Sequence, residues 1–205
     1  MGQDSDKPPV RDQQRKTMVH NPLETKQKTP TRHLVLVALF VALTGVGARL
    51  EIPMPYVPFT LQTFFVLLAG MLLGPRLGTL SQAIYLALGL VGVPIFARGG
   101  GVGYVLQPTF GYLLGFAPAA YVVGLLTERR PEVKFSRFLV ASSCGLAIVY
   151  LFGLVYLWTC TNLFLGKDLS LIQTLKVGLL VLLPGATVKS FLAATVGLEV
   201  RKRLT

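Results

Sequence analysis

From Leu34 onward the chain alternates between long apolar runs and short polar breaks, and the runs have the length of a bilayer. A helix needs about 20 mostly apolar residues to cross the hydrocarbon layer. Six such segments can be drawn, roughly 34–50, 59–74, 78–96, 108–126, 138–159 and 171–198. The second is short, and Gly74-Pro75-Arg76-Leu77-Gly78 reads as a tight turn into the third. The pattern therefore predicts an all-α membrane protein with six transmembrane helices. Between the third and fourth, Gly99–Gly103 holds four glycines and is poor in both helix and strand propensity. At membrane depth such backbone survives only inside protein or beside a water-filled cavity, so a re-entrant or lid loop is expected there.

Residues 1–33 are polar, charged and rich in Pro and Gln, with no apolar stretch of the signal-peptide kind before Leu34. They are expected to be a disordered cytoplasmic tail, and Met18 offers an alternative start after a leader. The expected division is tail 1–33, membrane domain 34–198 and a basic cytoplasmic end 199–205.

Composition agrees. The chain is 52% hydrophobic and 14% charged over 205 residues, against about 25% charged in soluble domains. Little length remains for a soluble catalytic module. A net charge of +11 would suit nucleic acid, but the basic residues form no single patch. Fifteen of the twenty fall on alternate breaks: seven in the tail, Arg76, then Arg129, Arg130, Lys134 and Arg137, then Arg201, Lys202 and Arg203. The opposite breaks hold only Arg49, Arg98 and Lys167. The positive-inside rule makes the first side cytoplasmic, with both termini inside and an even number of spans. Cys144 and Cys160, about 24 Å apart along one helix, are too distant for a disulfide within it.

Lys189 lies deep in the apolar run Val177–Leu198, and no acidic residue is near it in sequence. All nine acidic residues fall outside the apolar segments or at their ends. An intramembrane cation is costly and marks a functional position, here one suited to an anionic ligand; the alternative is a lysine that snorkels to the interface. Pro184-Gly185, five residues earlier, is expected to kink the sixth span there. Arg98, beside the glycine loop, can clamp a carboxylate or contact a lipid headgroup. Gln62 and Thr63 open the second span, Gln82 and Tyr85 sit one turn apart on the third, and Gln107 opens the fourth. Each can bond a ligand's polar head or a neighbouring helix. Phe64, Phe65, Phe96, Tyr104 and Tyr112 can wall an apolar body. Small residues mark close helix approaches: Ala38 and Ala42 in the first span, and Gly111, Gly115 and Ala119 in the fourth.

Enzyme chemistry has little to stand on. His20 and His33 lie outside the apolar runs, no cluster has metal-ligand spacing, and no phosphate-binding glycine motif is present. No cofactor is expected. Ion-coupled transport usually relies on intramembrane Asp or Glu, which is missing here, so a transporter built this way would borrow its energy from a partner.

The block Val57-Pro58-Phe59-Thr60-Leu61-Gln62-Thr63 resembles the BioY family of biotin transporters. So do Leu68-Ala69-Gly70, Leu73-Gly74-Pro75-Arg76-Leu77-Gly78, Tyr85 with Gly89, Gly92-Val93-Pro94-Ile95-Phe96 and Pro108-Thr109-Phe110-Gly111-Tyr112, in order through residues 34–198. The resemblance implies a six-helix S component of an energy-coupling factor (ECF) transporter in the cell membrane, binding biotin near its external face. It implies a transmembrane coupling subunit and cytoplasmic ATPases as partners, with Ala38 and Ala42 matching the docking pattern on the first helix. The family's sixth helix carries a Pro-Gly-Asp-x-x-Lys-like motif. Here it reads Pro184-Gly185-Ala186-Thr187-Val188-Lys189, so the lysine is kept and the aspartate is replaced. Arg98 falls in the loop where the family places a ligand-binding arginine. The expected contacts are Lys189 and Arg98, with Gln62, Gln82 and Tyr85 behind them. A solitary facilitator or ion-driven carrier is the alternative, and a scaffold or intramembrane enzyme a third class.

Overall fold

A computed structural model describes residues 30–204 except 55–56, 129–133 and 167; most of the tail, with Met18, lies outside the described residues. Helix α1 spans Pro30–Arg49 and leads into a two-residue strand β1 (Glu51–Ile52), which pairs antiparallel with β2 (Phe59–Thr60). Then come α2 (Gln62–Val91), a 3₁₀ turn (Val102–Leu106), α3 (Phe110–Leu114), α4 (Phe116–Thr127) and α5 (Phe135–Thr159). A π-helical turn at Cys160–Phe164, a short α6 (Leu171–Leu175) with a second π-helical turn (Lys176–Leu180), and α7 (Leu183–Leu204) complete the chain.

The 30 residues of α2 are a hairpin of two arms, not one rod. Gly74 breaks it with φ 81° and ψ −179°, immediately before Pro75. The left-handed φ suits glycine, and Pro75 can neither donate a hydrogen bond nor continue the first arm. A straight helix would hold Gln62 and Tyr85 about 34 Å apart, yet their side chains meet at 2.5 Å. The turn foreseen at Gly74–Gly78 is therefore real, although the strand β2 takes the start of the expected second segment. The second arm runs to Val91 and stops at Gly92 in the left-handed region.

Helix α4 packs along this hairpin. A Cβ added to Gly124 would come within 2.4 Å of Pro75 N, and one on Gly70 within 2.6 Å of the Ala120 carbonyl. The small residues of the expected fourth span do the same against α5: Gly111 meets Tyr156 and Gly115 meets Val149. Arg49 donates to the Pro94 carbonyl at 2.6 Å, fastening the end of α1 to the chain beyond α2. Both cysteines are free.

Thr31–Arg49, Gln62–Val91, Phe110–Thr127 and Phe135–Phe164 are long and apolar enough to cross a membrane. Leu171–Leu180 with Leu183–Arg203, bent by 40°, makes a fifth broken span. Exposed Leu, Val and Phe cover the outside of these helices, as a bilayer requires. This is a mostly helical, multi-pass membrane protein. The last span is bent as Pro184-Gly185 led one to expect, in the residues just before the proline. The bend falls at Val181–Leu182, and Pro184 stands in the first turn of α7, where its missing N–H costs nothing.

Candidate functional site

The β1–β2 pair sets Phe59 and Thr60 against the opening turn of α2, which carries Gln62 and Thr63. Helix α7 crosses this corner and delivers Lys189 from the far end of the chain. Lys189 Nζ donates to Thr63 Oγ1 at 2.7 Å and to the Thr60 carbonyl at 3.1 Å, and lies 4.2 Å from the centre of the Phe59 ring. The side chain is 6% exposed. No carboxylate pairs with it among the described residues. Dipoles and a ring face hold the charge without cancelling it.

A cavity of about 60 Å³ opens beside this ammonium. Val57, Phe59, Thr60, Gln62 and Thr63 form one wall, Thr109, Tyr112, Leu113 and Phe116 a second, and Val149, Tyr150 and Leu182 a third. Ala97 and Tyr104 enter from the segment around the glycines. Gly99 and Gly101 there have φ of 109° and 102°, a region that L side chains rarely adopt. The chain closes on itself through the Phe96–Gly99 bridge and turns Tyr104 inward, where burial pushes its phenol above the ordinary value. Tyr104 thus remains a neutral donor at physiological pH. Thr109 Oγ1 is buried near the Tyr104 hydroxyl without a full hydrogen bond.

Gln62 is held from two sides. Its Nε2 donates to the Tyr85 hydroxyl at 2.5 Å, and its Oε1 accepts from Thr60 Oγ1 at 3.0 Å. Tyr85 in turn donates to the Ile95 carbonyl at 3.0 Å and packs edge-on against Phe96. The cavity therefore presents one fixed cation, one fixed amide and several hydroxyls within aromatic walls. It suits a small solute with an apolar body and an anionic or strongly polar head.

Of the residues singled out in the sequence, Lys189 and Gln62 line the cavity, and Tyr85 stands directly behind Gln62. Gln82 is fully buried but bonds Thr44 of α1 and its neighbour Ser81, and is not among the lining residues. Arg98 is exposed, one residue past the lining Ala97. Tyr104 and Tyr112 line the wall; Phe64, Phe65 and Phe96 do not. Gln107 ends the 3₁₀ turn rather than opening a helix. Ala186 is buried in the bundle core. Ala38 and Ala42 are exposed on one face of α1. Sequence reasoning missed Phe59, Thr60, Thr109 and Tyr150 as wall residues. The first three lie within the motifs Val57–Thr63 and Pro108–Tyr112, whereas nothing in an apolar run distinguishes Tyr150.

The BioY family model matches residues 18–205. The chain belongs to the BioY family. It is 50% identical over 148 residues to the probable biotin transporter BioY of Lysinibacillus sphaericus, covering 72% of this chain and 76% of that protein. It is 44% identical over 127 residues to the biotin transporter BioY of Thermotoga maritima, covering 62% and 74%. Its fold is similar to the crystal structure of the S component for biotin from an ECF-type ABC transporter, with TM-score 0.75 and 25% identity over 86% of this chain and 94% of that one.

Proposed function

We propose that the chain binds biotin from the external side of the cell membrane and mediates its uptake as the substrate-binding component of an ECF-type transporter. The carrying observation is Lys189, a buried ammonium with no carboxylate partner among the described residues, facing an aromatic cavity in a BioY-family fold. Its third proton is free for the carboxylate of biotin, and the aromatic walls suit the ring system. Gln62 adds a fixed amide, and Arg98 adds positive charge at the mouth.

Counting the two arms of α2 separately, six segments cross the bilayer, with both termini cytoplasmic. The basic residues favour that orientation. Small-molecule pockets usually exceed about 300 Å³, so the 60 Å³ cavity must enlarge, and the glycine-rich segment carrying Tyr104 withdraws to admit the ligand. The chain is a transport component and not an enzyme. A transmembrane coupling subunit docks on the Ala38–Ala42 face, and ATPases supply the energy.

Equilibrium binding of labelled biotin to the purified protein in detergent, with biotin methyl ester as competitor, tests the assignment. Tight binding with weak competition by the ester is expected. Absence of binding, or equal competition by the ester, refutes it.

A further inference from the structure

A second concave site lies at the turn of the α2 hairpin. It is a groove of about 760 Å³ whose walls include His33, Arg76, Tyr121, Leu125, Glu128 and Arg201. Lys189 and Arg201 are twelve residues apart on α7, about 18 Å along the helix, so this groove is separate from the cavity. Arg201 reaches across to donate to the Met71 carbonyl at 3.1 Å, which holds its guanidinium beside the hairpin turn. Arg76 is exposed and makes no hydrogen bond or ion pair with a described residue. Among the described residues of its lining, the guanidinium groups of Arg76 and Arg201 outnumber the one carboxylate, that of Glu128, which favours an anion there. On its other side Tyr121 and Leu125, one turn apart on α4, are 45% and 46% exposed toward the apolar surface. A basic rim that runs directly into an exposed apolar stripe matches the two halves of a lipid.

We propose that this groove binds an acidic phospholipid, its phosphate between Arg76 and Arg201 and an acyl chain along Tyr121 and Leu125. A soluble anion would use the rim but leave the stripe without a role. Basic pockets at the membrane interface favour anionic headgroups. The assignment rests on the membrane reading of the chain and not on the ligand of the cavity, so failure of biotin binding leaves it standing.

Native mass spectrometry of the full chain, released from micelles containing equimolar phosphatidylglycerol and phosphatidylcholine with identical chains, tests it. Preferential retention of phosphatidylglycerol is expected. Arg76→Gln should reduce the preference about fivefold, the effect of one basic residue at an anionic surface, Arg76→Lys should keep it, and Glu128→Gln should raise it. Equal retention of the two lipids, or a preference untouched by Arg76→Gln, overturns the proposal. So does displacement of the lipid by millimolar glycerol phosphate, which would make the site one for soluble anions. If Arg76→Gln does not fold, Glu128→Gln decides: a raised preference supports the site and an unchanged one removes it.

Discussion

Lys189 and Thr63 stand 126 positions apart in the chain, and their side chains meet at 2.7 Å. This contact joins the last span to the start of the α2 hairpin and fixes the cation at the cavity wall. Lys189→Ala is expected to weaken biotin binding by about 1–3 kcal/mol, the range for a lost charged hydrogen bond. Isothermal titration of the variant checks this, and an unchanged affinity removes Lys189 from the site. Thr63→Val should cost less, because the ammonium keeps the Thr60 carbonyl.

Tyr85 orients Gln62 from behind. Tyr85→Phe removes the hydroxyl that accepts from Gln62 and donates to Ile95. A destabilisation of about 1–2 kcal/mol is expected from the unsatisfied partners, seen in a thermal melt, together with a smaller loss of biotin affinity. Affinity falling with no change in melting temperature would place Tyr85 in contact with the ligand instead.

Gly89 makes room for Phe96. A Cβ at that position would lie 2.0 Å from the Phe96 ring, and Phe96 packs on both Tyr85 and Tyr104. Gly89→Ala should displace the ring, cost about 1–3 kcal/mol through overpacking and weaken ligand binding by moving Tyr104. A variant with wild-type melting temperature and affinity would show that the loop repacks freely.

Ala186 and Lys189 are three residues apart on α7 and both buried. An aspartate at 186 falls within side-chain reach of the lysine. Ala186→Asp should therefore fold, whereas Ala186→Asp with Lys189→Ala should lose about 3–5 kcal/mol, the cost of an unpaired buried charge. Equal stability of the single and double variants would mean that the two groups do not meet.

The exposed Ala38–Ala42 face is expected to serve the partner and not the ligand. Leucine at both positions should leave biotin affinity in detergent unchanged while reducing uptake with the coupling subunit and ATPases present, by blocking close helix approach. Unaltered uptake would move the docking surface elsewhere.

Several of these relationships could be read before any coordinates. The lack of an acid near Lys189 in sequence, the turn at Gly74-Pro75 and the close approaches of the fourth span's small residues were all legible there, whereas the part Lys189 plays in binding is what its alanine variant tests. Gln82 takes the second of the two readings its polarity allowed, since its amide donates to Thr44 of the neighbouring helix α1 and to Ser81. Tyr150 gave no sign at all, because a tyrosine in an apolar run reads the same whether it faces lipid, helix or cavity. The bend of the last span fell before Pro184, as a proline is tolerated in the first turn of a helix but not in its interior.

By itself the sequence determined that this is a polytopic helical membrane protein, where its spans break, which breaks carry the positive charge, and that one lysine lacks an acid. Those properties follow from run length, composition and charge, which need no knowledge of neighbours. Tertiary structure decided which face of each helix turns inward, and so which side chains share the cavity. In a bilayer both the buried and the exposed faces are apolar, so periodicity does not report a helix's rotation. The reversal of α2 at Gly74 brings Gln62 onto Tyr85, and the crossing of α7 over the opening turn of α2 brings Lys189 onto Thr63.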